Sequence, residues 1–147
     1  MVTTNSTSAT DRGWIVETVS EWPGVETGPH RFGATEFTID GREIGHIHGG
    51  RTLDINFPKQ MKERLIADER TGEHRFAGGG WTTYRIESLE DVDHALRLCR
   101  LSYLYALLTR RRRPTGSTIL AELDLDAELD RLDLDPDLRA MFERMRR

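Results

Sequence analysis

Cysteine and lysine are nearly missing from this chain, and each shortage removes something from consideration. Cys99 is the single cysteine among 147 residues, so no intramolecular disulfide forms and a Cys-rich zinc site is excluded. Only Lys59 and Lys62 of the 21 basic residues are lysine; the arginine excess reads as a GC-rich coding bias and carries no mechanism. No apolar run approaches the ~20 residues that cross a bilayer. The opening MVTTNSTSAT lacks the charged-then-apolar order of a signal peptide, so the expected location is the cytoplasm, with no membrane partner. A strongly basic balance is missing too. The net charge of −4 argues against a nucleic-acid partner. Dinucleotide fingerprints, Walker loops and nucleophile elbows are also lacking.

What remains is one domain's length of chain, 37% hydrophobic and 31% charged, long enough to bury a core. Residues 1–10 are rich in Ser and Thr and read as disordered. Asp11 offers a helix N-cap, and Trp14, Ile15, Val19 and Trp22 form an apolar stripe that ends at Pro23-Gly24. From Val25 to Phe57 the pattern is strands. Asp40-Gly41 and Gly49-Gly50 mark the turns of a meander, and Leu53, Ile55 and Phe57 alternate on one face. Pro58 opens a helix reaching about Ala67. A short strand near His74–Phe76 and a further strand from Trp81 to Ile86 follow. Ser88 with Asp91 resembles a capping box for a long helix over 89–111.

After Pro114 the near-copies LDLDAEL (123–129) and LDLDPDL (132–138) place Asp126 and Asp135 as caps of short helices. The division expected is a disordered 1–10, an α+β domain over 11–113 and an acidic helical extension over 114–147. The fold class is α+β in two layers: an antiparallel sheet of four to five strands covered on one side by helices near 11–22, 58–68 and 89–111. The extension is read as a lid, or as a docking surface for a protein partner or a second copy of the chain.

Three of the five histidines fall at 30, 46 and 48. His46 and His48 are two residues apart, so on a strand they project from one face. Hairpin register decides what surrounds them. A two-residue turn at Asp40-Gly41 sets Thr35 opposite His46, and the imidazoles then share a face with Phe37 and Ile39. A three-residue turn sets Glu36 opposite His46, and a three-residue turn at Gly49–Arg51 adds Asp54 across from it. One residue of slip exchanges the faces. The second register gathers Glu36, His46, His48 and Asp54, the composition of an open catalytic metal site. Three readings stand: a metal site, a metal-free functional pocket, or structural histidines. The metal-free pocket leads, so no metal ligand is assigned. His74 reads as a further member or as a surface residue. His30 and His94 carry no strong signal, and the run Arg110–Arg113 suits a helix C-terminus.

The segments REIGHIH (42–48) and GEHRFAG (72–78), followed by an aromatic strand, resemble the luciferase-domain family, small proteins named for similarity to the fungal bioluminescence luciferase. PHRFGATEF and DINFP look like its prokaryotic branch, with Ala34 and Asn56 where relatives carry Gly and Pro. The resemblance spans about 11–108 and matches residue by residue at Glu43, His46, His48 and His74. It implies oxidation of a small molecule by O₂ without an added organic cofactor, the name-giving enzyme acting on a hydroxypyrone. The catalytic set it implies is His46, His48, His74 and Glu43; Glu36, Asp54, Trp81 and Tyr84 are read as substrate-binding neighbours. In that mechanism a neutral histidine takes a proton from an acidic enol or phenol. The runner-up is a non-enzymatic interaction module with structural histidines; a metal-dependent enzyme using His46, His48 and a carboxylate is the third reading.

Overall fold

The computed structural model describes residues 9–74 and 77–146. Of the segment expected to be disordered, Ala9 and Thr10 open the first helix and the rest lies outside the described residues. That helix, α1 (Ala9–Ser20), precedes β1 (Val25–Pro29), β2 (Thr35–Ile39), β3 (Arg42–His48) and β4 (Thr52–Asn56). Next come α2 (Lys59–Ala67), the two-residue β5 (Gly72–Glu73), β6 (Trp81–Arg85) and α3 (Leu89–Thr109). Three short helices complete it: α4 (Pro114–Glu122), α5 (Leu125–Leu132) and α6 (Pro136–Met145). The architecture is α+β. Among the described residues the sheet has six antiparallel strands in the order β1-β2-β3-β4-β6-β5, one more than expected because the minimal β5 pairs with the edge of β6. The strand anticipated at His74–Phe76 is not observed there: β5 ends at Glu73, His74 lies outside it, and Arg75 and Phe76 lie outside the described residues. None of the described helices is long and apolar enough to cross a membrane.

Alternation divides the sheet. Phe37, Ile39, Ile47, Leu53 and Ile55 are buried on one face and join Leu101, Leu104 and Leu107 of α3 in a single apolar cluster. The other face carries the polar residues described below. Ser88 caps α3 as expected: its hydroxyl accepts from the Asp91 N–H and Asp91 accepts from the Ser88 N–H, a reciprocal pair that satisfies two free donors. The arginines after α3 meet the tip of the β2–β3 turn, where Arg110 and Arg113 both pair with Asp40.

Several local expectations are corrected. α1 begins two residues before Asp11, and Trp14 is 60% exposed while Ile15 and Val19 are fully buried. Asp124, not Asp126, caps α5, accepting from the Ala127 N–H; Asp126 instead pairs with Arg146. Asp135 caps α6 as read. The extension is docked on the domain, with Leu129, Leu138 and Phe142 fully buried in the same cluster as the sheet.

Candidate functional site

The site is built by a register device. Asp40 and Gly41 both have positive φ (51° and 81°), the requirement of a two-residue type I′ hairpin turn. Ile39 accordingly faces Arg42 and Thr38 faces Glu43. The pairing then shifts, with Phe37 facing Gly45 and Glu36 facing His46. Ile44 is thus an extra residue, a β-bulge. Its consequence is chemical. Without it, positions 43 and 46 would point to opposite faces; with it, Glu43 and His46 share one. The register that gathers the polar groups therefore coexists with the two-residue turn, a combination the sequence reading did not weigh. The loop Gly49–Arg51 supplies three residues as expected, and His46 faces Asp54.

The bulge is held from both sides. Buried Ser102 of α3 donates to the Ile44 carbonyl at 2.7 Å. A side chain at Gly45 would press on the Asp54 carbonyl oxygen at 3.1 Å and on Ile55 at 3.0 Å, so glycine permits this approach of β3 to β4. Replacing Ser102 with alanine leaves a buried carbonyl unpaired and is expected to cost about 1–3 kcal/mol, read as a lowered midpoint in urea unfolding. An unchanged midpoint would remove the bulge anchor.

Asp54 lies at the centre of the polar face, and its side chain is 5% exposed. Its Oδ2 accepts from His46 Nε2 and His48 Nε2, each at 3.2 Å, and lies 3.5 Å from His74 Nε2. Thr83 of β6 donates to Oδ1 at 2.7 Å. On the far side of the His46 ring, Nδ1–H donates to Glu43 at 3.2 Å. Glu43 in turn lies 3.5 Å from His30 Nε2, and the His30 ring stacks on His46 with centroids 3.9 Å apart. Burial pushes the His46 pKa down, but the hydrogen bonds to Asp54 and Glu43 outweigh it and carry it up to about 9. Burial raises that of Asp54, and the hydrogen bonds from His46 and Thr83 reverse this to a net lowering. At neutral pH His46 is therefore a cation and Asp54 an anion.

His74 has a defined tautomer. The Ala77 N–H donates to Nδ1 at 3.0 Å, which leaves the ring proton on Nε2, facing Asp54. Buried Lys62 holds this segment, donating to the Gly79 carbonyl at 2.9 Å and pairing with Glu73. Trp81 closes one wall, 5.5 Å from the His46 ring and 6.0 Å from His74. A cavity of about 780 Å³ opens over the cluster, with Arg31, Phe32, Trp81 and Arg85 around it. Phe32 stands 94% exposed at φ +59°, a backbone region uncommon for a bulky residue.

Of the residues read as site members, His46, His48, His74, Glu43, Asp54 and Trp81 come together on this face. Glu36 is placed on it too, opposite His46, but does not line the cavity. Tyr84 does not join them. It pairs with Leu53 on the helix-covered face and donates to Asp91 at 2.9 Å. His30, Arg31, Phe32, Thr83 and Arg85 were missed. Thr83 and Arg85 follow Trp81 at a spacing of two, a signal that was present; the placement of His30 depends on a reverse turn whose signal in the sequence is weak.

Residues 41–102 match the family model described as Luciferase domain. This segment is similar to the luciferase-domain family. No curated protein and no solved structure matches the chain. The matched segment includes Glu43, His46, His48, Asp54, His74 and Trp81, whereas His30, Arg31 and Phe32 precede it.

Proposed function

We propose that this luciferase-like domain is an oxidoreductase that binds a small planar enol or phenol as its anion and delivers it to O₂. The observation that carries the reading is the composition of the cavity: Phe32 and Trp81 offer flat apolar surface, Arg31 and Arg85 offer positive charge, and the imidazole cluster lies beneath them. Aromatic walls suit a conjugated ring, and guanidinium groups suit its oxyanion. Protonated His46 adds positive charge at the floor and stabilises the anionic form. In the reaction class proposed, the enolate carbon donates its electron pair to O₂. A carbon–oxygen bond forms, O₂ is reduced to the peroxide level, and the peroxide takes up one proton.

The test is O₂ consumption over a panel of hydroxypyrones and phenols. A turned-over member is expected, with kcat/KM falling about 100-fold in His46→Ala, the scale of a positioned acid–base or charge-stabilising group. No O₂ uptake with any member, or full turnover by His46→Ala, would overturn the assignment.

A further inference from the structure

We propose that His46 Nε2, His48 Nε2 and Asp54 Oδ2 form a binding site for one divalent transition-metal ion at the floor of the cavity. The proposal rests on the reading above in placing the small molecule beside the ion; the ion displaces the His46 Nε2 proton and takes over the positive charge assigned to that ring.

Spacing is the first argument. One ligand atom from each of the three residues lies within 4.8 Å of the others, and both Nε2 atoms are 3.2 Å from the same carboxylate oxygen. Bonds of 2.0–2.2 Å at tetrahedral angles separate neighbouring ligand atoms by roughly 3.4 Å, so a cation fits with small side-chain shifts. The second argument is how the ligands are backed. Histidine ligands commonly donate their other ring N–H to a carboxylate, and ligating carboxylates are themselves hydrogen-bonded. Here Glu43 accepts from His46 Nδ1 and Thr83 donates to Asp54 Oδ1. Both supports are already in place around the three ligand atoms. A third argument is the scaffold: β3 and β4 are paired strands, so backbone hydrogen bonds fix the spacing.

The same geometry excludes His74 as a ligand. Its Nδ1 accepts from a backbone N–H, so Nε2 carries the proton and has no lone pair for a metal. His74 therefore donates to Asp54 or to a molecule in the cavity. A rival set, His30, Glu43 and His46, would use His46 through Nδ1. It takes its carboxylate from Glu43, whose side chain is 25% exposed, against 5% for Asp54, and among the described residues no hydroxyl backs that carboxylate as Thr83 backs Asp54. Two imidazoles and one carboxylate suit zinc, iron, cobalt or manganese better than calcium or magnesium, which prefer all-oxygen sets. Three protein ligands leave positions for an oxygen atom of the bound molecule.

The experiment uses the full, tag-free chain, stripped of metal, with Co²⁺ followed by visible absorption and Zn²⁺ by calorimetry. One ion per chain is expected at micromolar affinity or tighter. His46→Ala, His48→Ala and Asp54→Asn are each expected to weaken binding by about 100-fold or more, and Glu43→Gln by about 10- to 100-fold. His74→Ala and His30→Ala are expected to stay within about threefold of the parent. Circular dichroism verifies folding, and half-exposed His48 carries the test should a buried variant fail to fold. Absence of saturable binding overturns the site. So does loss in His74→Ala equal to that in His48→Ala, or loss in His30→Ala with binding kept in His48→Ala. Binding without O₂ uptake upholds the metal site and sinks the oxidoreductase reading; O₂ uptake by metal-free protein that binds no ion does the reverse.

Discussion

Asp54→Ala is expected to lower the unfolding free energy of the metal-free protein by about 3–5 kcal/mol, the range for breaking a buried charge pair from one side. The size follows from what the carboxylate holds. Three imidazole nitrogens lie within 3.5 Å of Oδ2, and the Thr83 hydroxyl donates to Oδ1. Removing it leaves a nearly buried imidazolium at His46 facing empty space, with only the partly exposed Glu43 to balance it. The loss is a desolvation cost, beyond the contact itself. Glu43→Gln, which keeps an acceptor and sits nearer water, is expected to cost only about 1 kcal/mol. Chemical denaturation of both variants without metal checks the contrast. Equal losses would mean that Asp54 is not the electrostatic centre of the cluster.

Ending the chain at Arg113 is expected to abolish cooperative folding. Leu129, Leu132, Leu138 and Phe142 of α5 and α6 are all buried in the main cluster. At about 1.5–3 kcal/mol for each buried side chain their loss comes to roughly 6–12 kcal/mol, comparable with the whole stability of a typical domain. The single change Phe142→Ala is expected to cost about 3–5 kcal/mol. Thermal melts of the truncated and substituted chains give the answer. A truncated chain that still melts in one sharp transition would restore the view of 114–147 as a separable docking element. The burial also bears on function, because loss of a partner after truncation would report unfolding rather than a binding surface.

The fold was largely legible because its signals are local. Asp40-Gly41, Pro58 and the Ser88–Asp91 pair each specify a turn or a helix start by short-range chemistry. The site was legible in composition, with His46, His48, His74 and Asp54 named. One of the two registers read from the sequence sets Glu36 and Asp54 opposite His46 as observed, but the device that produces that register was not legible. The reason is Ile44. A bulge adds one residue without changing the turn, so counting from Asp40-Gly41 gives the wrong face. What selects it lies far along the chain, in the Ser102 hydroxyl and the room that Gly45 leaves beside Asp54. Tyr84 was misplaced for a simpler reason. It is three residues from Trp81 on a regular strand, so the two cannot share a face. His30 was passed over because its position depends on the turn at 31–34, where Phe32 adopts a left-handed backbone despite its bulk.

His46 and Asp54 are eight residues apart in sequence, whereas the Ser102–Ile44 hydrogen bond spans 58. Loop closure grows as the logarithm of length, so the longer closure costs about 2 kcal/mol more in chain entropy. A hairpin closes in roughly 1–10 μs, faster than a distant helix docks. The order of events in folding follows from these spans: the imidazole pair meets its carboxylate while the chain is still largely open, and the arrival of α3 then fixes the register in which they met.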